Sequence, residues 1–115
     1  RQLGQPAINV FAAQRSGSRF LALDGTVLCD AAADAPSQAS IGVRPEHLEI
    51  SPSVAEVGGA AARIELVEQA GPHQVIVAHW AGQRVHVLVG REQGFSLGQR
   101  VHLRIAADRA VFWNA

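Results

Sequence analysis

The sequence predicts an all-β fold. Two observations carry that prediction: short runs in which apolar and polar residues alternate with period two, and the Gly-, Pro-, Asp- and Ser-rich breaks between them. A chain of 115 residues is one domain's worth, and it can bury roughly 65% of the surface that its unfolded form exposes. Such a core needs neither metal nor disulfide support. The lone Cys29 has no internal partner for a bridge and is expected to sit in a strand as a small buried hydrophobe.

In chain order, the first two strands are expected over 19–23 and 26–29, flanking Asp24-Gly25, a strong short-range hairpin signal. Residues 30–40 are rich in Ala, Asp, Pro and Ser and read as a surface loop with room for a helical turn. Short strands over 41–43 and 48–50 bracket Arg44-Pro45-Glu46-His47, where Pro45 fixes its own φ and biases Arg44 away from helical geometry. Longer strands over 62–68 and 74–80 are joined by Ala70-Gly71-Pro72-His73, and Ala81-Gly82 then closes a tight hairpin onto 83–89. In that last run Val85, Val87 and Val89 share one face while Arg84, His86 and Leu88 share the other. Residues 100–105 repeat the design with Val101, Leu103 and Ile105 inward, and a final strand spans 110–113. Trp80 and Phe112 are expected in the core, with Trp113 partly exposed. The chain divides near Gly58-Gly59 into halves too short to stand as separate domains, so 1–115 is taken as one domain, with two interleaved sub-barrels as a further expectation.

Composition excludes several functions. Ten Arg balance ten Asp plus Glu, there is no Lys, and the net charge is zero, so the positive field that non-specific nucleic-acid binding needs is missing. No nucleic-acid partner is expected. No apolar run approaches the roughly 18 residues of a membrane span, and no basic-then-apolar opening marks a secretion signal. An opening at Arg1 and the absence of Met lead to the expectation of a piece of a longer polypeptide.

Catalytic constellations are poor. No phosphate loop, HExxH, CxxC or GxSxG occurs, and without Lys a phosphate-loop lysine is impossible. His47, His73, His79, His86 and His102 invite a metal site, but outward histidines on strands are ordinarily solvated rather than converging at ligand distance. Glu65 and Glu68, three residues apart in one strand, are expected on opposite faces and so do not form an acid/base pair. No catalytic, cofactor-binding or metal-ligating residue is therefore assigned.

The run Ile41-Gly42-Val43-Arg44-Pro45-Glu46-His47-Leu48 closely resembles the G-[IV]-R-P-E-H signature of one family. That family is the C-terminal regulatory, or TOBE, domain of the ATP-binding subunits of ABC importers of the maltose, multiple-sugar and glycerol-3-phosphate class. The opening Leu3-Gly4-Gln5-Pro6-Ala7-Ile8-Asn9-Val10-Phe11 is similar to the segment that leaves the nucleotide-binding domain there, with Ile8 in place of the usual Met. Ile64-Glu65-Leu66-Val67-Glu68 with Gly71, Leu97-Gly98-Gln99-Arg100-Val101-His102-Leu103 and Val111-Phe112-Trp113 extend the resemblance over nearly the whole chain. Trp113 stands where an Asp is more usual.

The resemblance implies an oligonucleotide-binding-fold-like barrel architecture, a topology that says nothing of nucleic acid. It also implies a non-catalytic part of a larger subunit whose ATPase domain holds the ATP and Mg, so no cofactor is expected in this chain. The implied partners are a second copy of the ATP-binding subunit, the chain's own ATPase domain, the membrane permease subunits and a regulatory protein. The implied place is the cytoplasmic side of the inner membrane, peripherally bound.

Gly42, Arg44, Pro45, Glu46 and His47 are the candidate interface and regulatory residues. Pro45 would rigidify the turn, Arg44 pair with a carboxylate, and Glu46 and His47 hydrogen-bond across an interface. A purely local reading, in which Pro45 and Glu46 form a satisfied turn into the Leu48 strand, stands beside it. The alternative function is a small oxyanion module for molybdate or tungstate, against which the absence of Lys and the scarcity of clustered Ser or Thr weigh.

Overall fold

The computed structural model describes residues 7–52 and 61–114. Among the described residues the chain forms ten strands: β1 (Asn9–Ser16), β2 (Arg19–Ala22), β3 (Val27–Asp30), β4 (Gln38–Val43), β5 (Leu48–Ser51), β6 (Ala62–Ala70), β7 (His73–Trp80), β8 (Gln83–Gly90), β9 (Arg100–Ile105) and β10 (Ala110–Asn114). They make two five-stranded sheets, ordered β10-β4-β1-β2-β3 and β5-β9-β6-β7-β8, with every pair antiparallel. The chain builds most of one sheet, then the other, and returns through β10 to lie against β4. The expected division near Gly58-Gly59 and the resemblance at Leu3-Gly4-Gln5-Pro6 lie outside the described residues.

Local chemistry accounts for the hairpins. Ala81 and Gly82 both hold positive φ, 55° and 78°, the pair of left-handed residues that a two-residue turn between right-twisted strands requires. At the other hairpin the Asp24 carboxylate accepts a 2.9 Å bond from the Thr26 N–H, which holds its pKa below the ordinary carboxylate value. The alternation expected for β8 and β9 is present: Val85, Val87, Val89, Val101, Leu103 and Ile105 are all buried.

Three expectations need correction. The loop over 30–40 contains the start of a strand, because β4 begins at Gln38; ahead of it the Ala35 N–H closes a single turn on the Ala32 carbonyl at 3.0 Å, which does not extend into a helix. Phe112 is 42% exposed rather than a core residue, since β10 lies at a sheet edge where only one flank is covered. In β6 the pairing with β7 shifts between Ile64 and Leu66, so strict alternation fails at Glu65; Glu65 and Glu68 are both exposed. A fourth element, β1, is one that the sequence patterns did not single out.

One continuous core lies between the sheets, joining Phe11, Phe20, Ile41 and Val43 of the first to Ile64, Ile76, Trp80 and Val101 of the second. Phe11 and Trp80 meet edge to face, with ring centroids 5.6 Å apart and planes at 85°, a geometry worth about 0.5–1.5 kcal/mol beyond the area buried. The second sheet curls so that its edge strands β5 and β8 approach one another, with a 3-10 turn over Pro45–His47 packed on β8.

The sheets are also joined by hydrogen bonds. Asn9 is buried, and its Nδ2 donates to the carbonyls of His86 at 2.9 Å and Val43 at 3.3 Å, while its Oδ1 accepts the His86 N–H at 2.8 Å. Three residues earlier along β8, the Gln83 amide donates to the Val10 carbonyl at 2.9 Å. Both contacts use the part of β1 ahead of Ala13, where its pairing with β2 begins. Asn9→Ala strands the half-buried His86 amide and carbonyl, so guanidinium unfolding is expected to show a loss of about 1–3 kcal/mol. A loss below about 0.5 kcal/mol, the size of an ordinary surface substitution, would show that the clamp contributes little.

Candidate functional site

Within β4, Gly42 lies in register between Val10 of β1 and Val111 of β10. A Cβ here would come within 2.8 Å of the Trp113 ring and 3.2 Å of Ile8 Cδ1, so the missing side chain is the space that the indole fills. After the buried Val43, Arg44 takes φ −69° and ψ 150°, the extended geometry expected ahead of proline. Pro45 then opens the 3-10 turn and is itself buried. The His47 N–H closes it on the Arg44 carbonyl at 2.9 Å, and the chain enters β5 at the buried Leu48.

The five candidate residues therefore divide by role. Gly42 and Pro45 are structural: one receives an aromatic ring, the other anchors a turn. Arg44 and Glu46 project outward as exposed opposite charges, with His47 half-buried beside them. Among the described residues neither Arg44 nor Glu46 takes part in an ion pair; those present are Arg84–Glu65 at 3.1 Å and Arg104–Glu49 at 3.8 Å. Both pairs are solvent-exposed, a setting in which an ion pair contributes about 0–1 kcal/mol. Arg44 and Glu46 thus form a charged knob held on a rigid base, suited to bidentate recognition of a partner's carboxylate and to accepting its donors.

Among the described residues no three His, Cys, Asp or Glu side chains converge as metal ligands. The histidines are spread over the 3-10 turn, β7, β8 and β9. The Cys29 thiol is buried, and burial together with the Asp30 charge pushes its pKa up to about 11, away from nucleophilic use.

Two clefts open on the surface, one of them bordered by the segment. One of about 460 Å³ lies between β5 and β8, with Glu46, Glu49, His73 and Gln93 in its wall. The other, about 280 Å³ and largely apolar, runs beneath β10 and is lined by Phe20, Ala35, Pro36, Ala39, Phe112 and Trp113. Sequence reasoning did not single out this second feature or the exposed Ile8, Val10 and Val111 on the opposite face. The signal was present at Val111-Phe112-Trp113: three consecutive apolar residues in a strand put apolar side chains on both faces.

Residues 41–113 match the TOBE domain family. The chain is 38% identical over 79 residues to the sn-glycerol-3-phosphate import ATP-binding protein UgpC of Rhodopseudomonas palustris, an alignment covering 66% of this chain and 22% of that protein. The matched region is thus about a fifth of the relative's length. In architecture the chain is similar to the cytoplasmic molybdate-binding protein ModG, with a TM-score of 0.72 over the full length of both chains at 11% identity, a likeness of fold alone. Gly42→Ala tests the seating of the indole: the new methyl displaces Trp113, so tryptophan emission shifts to the red and acrylamide quenching rises, at a stability cost of about 1–2 kcal/mol. Unchanged emission would mean that the ring does not rest on Gly42.

Proposed function

The chain belongs to the TOBE domain family, and on that premise we propose that it is the regulatory and dimerisation domain of the ATP-binding subunit of an ABC importer for a carbohydrate or glycerol-3-phosphate. The observation that carries this reading is the 38% identity to an import ATP-binding protein across the segment that holds Gly42 to His47. The parent subunit would couple ATP hydrolysis, with ATP and Mg held in its ATPase domain, to transport through membrane permease subunits. This domain takes no part in that chemistry. It would work at the cytoplasmic side of the inner membrane, peripherally, and no span is needed of it: no described helix is long and apolar enough to cross a membrane.

The physical role follows from symmetry. A two-fold contact held through each ATP cycle keeps two ATPase domains at high effective concentration while they open and close, so that their encounter is intramolecular. Arg44, Glu46 and His47, on the rigid turn made by Pro45, are the groups proposed to contact the second copy or a regulatory protein, with Gly42 holding the adjoining strand in place.

A second reading, an oxyanion module for molybdate or tungstate, is favoured by the fold shared with ModG. Oxyanion capture calls for converging N–H, hydroxyl or ammonium donors, and this chain contains no Lys. Three measurements on the purified chain separate the readings. It is expected to turn over no ATP, to give no binding heat with molybdate or tungstate, and to self-associate in sedimentation. Micromolar molybdate affinity would favour the oxyanion module instead, and ATP turnover would contradict the non-catalytic assignment.

A further inference from the structure

The free sheet edges differ in how they are guarded. Edge strands of natural proteins are usually kept from pairing by charge, proline, bulges or short length. In the second sheet the two edges, β5 and β8, face each other across the 3-10 turn and the Asn9 and Gln83 side chains. In the first sheet β3 is four residues long and ends on Asp30. Among the described residues β10 is guarded by neither charge, proline nor bulge. Ala110–Asn114 contains no charge and no proline, and it pairs with β4 in unbroken register.

Both faces beside that edge are apolar. On the outer face Val111 (51% exposed) and Trp113 (47% exposed) continue across Gly42 to the exposed Val10 and Ile8. On the inner face Phe112 tilts against Phe20 at 5.8 Å above the 280 Å³ cleft. A strand added here would complete the ladder while placing alternate side chains on the apolar strip and in the cleft.

We propose that the occupant is β10 of a second copy, the two strands running antiparallel about a two-fold axis at Phe112. The β10-containing sheet of one copy then continues into the same sheet of the other across the dimer. The complement that this edge requires is a short, uncharged strand with apolar side chains on both faces, and β10 is itself that strand. With the axis at Phe112, Val111 of one copy meets Trp113 of the other on the outer face, and the two Phe112 rings meet on the inner face. Such a contact is self-complementary and closes after one addition, using both free edges at once. Each copy carries zero net charge, so no long-range repulsion opposes the pairing. The Arg44–Glu46 knob follows directly on Val43, the partner of Ala110, and so lies at the end of the same edge. The proposal rests on the dimer reading above and gives it a surface.

Sedimentation equilibrium over a range of concentrations tests it with four chains: the wild type, Val111→Lys, Leu97→Lys as a control at another exposed apolar site, and Phe112→Cys. The wild type and L97K are expected to dimerise alike, and V111K to weaken dimerisation at least tenfold while its circular dichroism stays that of the wild type. Under oxidation F112C is expected to form a disulfide-linked dimer, whereas the wild type does not cross-link because Cys29 is buried. A wild-type dimer that tolerates V111K and leaves F112C uncross-linked overturns the β10 surface while leaving the dimer reading intact. A wild-type chain that stays monomeric throughout overturns both.

Discussion

The carboxamide of Asn9 stands where ordinary β-structure would place a neighbouring strand. β8 pairs with β7 along one side only, and its other side at His86 presents an N–H and a carbonyl that must find partners. Asn9 supplies both from within β1, and its remaining bond goes to the Val43 carbonyl of β4. Three bonds from one buried side chain thus tie two strands of the first sheet to the edge of the second. With the Phe11–Trp80 ring contact two residues on, they fix how the sheets face each other.

The same constraint sets up the candidate surface. Val43 is the last residue of β4 before Arg44, so holding its carbonyl fixes where the Pro45 turn begins. The turn lies on β8, the strand that Asn9 also holds. Gly42, one residue earlier, accepts Trp113 from β10, and the uncharged edge of β10 is therefore presented beside the exposed Arg44 and Glu46. A family signature that reads as six consecutive residues is in physical terms three devices: a slot, an anchored turn and an exposed charge pair. Only the last is exposed.

Much of this was legible in the residues. The valine alternation in 83–89 and the apolar alternation in 100–105 report half-buried strands directly, and Asp24-Gly25 and Ala81-Gly82 mark their turns by backbone chemistry alone. The eight-residue run from Ile41 to Leu48 pointed to the family before any geometry was known. What stayed hidden was hidden for reasons of patterning. β1 reverses the usual code, burying Asn9 and exposing Val10, because its polar side chain is satisfied by a strand distant in sequence. β4 carries Gln38, Ser40 and Gly42, residues that locally favour loops, and becomes a strand because β1 and β10 pair with it on both sides. Phe112 was expected inside on hydrophobicity alone, yet edge position overrides side-chain preference.

Amide hydrogen exchange at His86 tests most directly whether the Asn9 clamp holds the two sheets as one unit. An edge-strand N–H facing away from its only ladder partner ordinarily exchanges quickly, whereas one held by a buried carboxamide opens only when the sheets part. The His86 amide is expected to be protected to the same degree as the core amides of β7 and β9. Exchange as fast as that of an exposed edge amide would contradict the clamp, and with it the joining of the two sheets through Asn9.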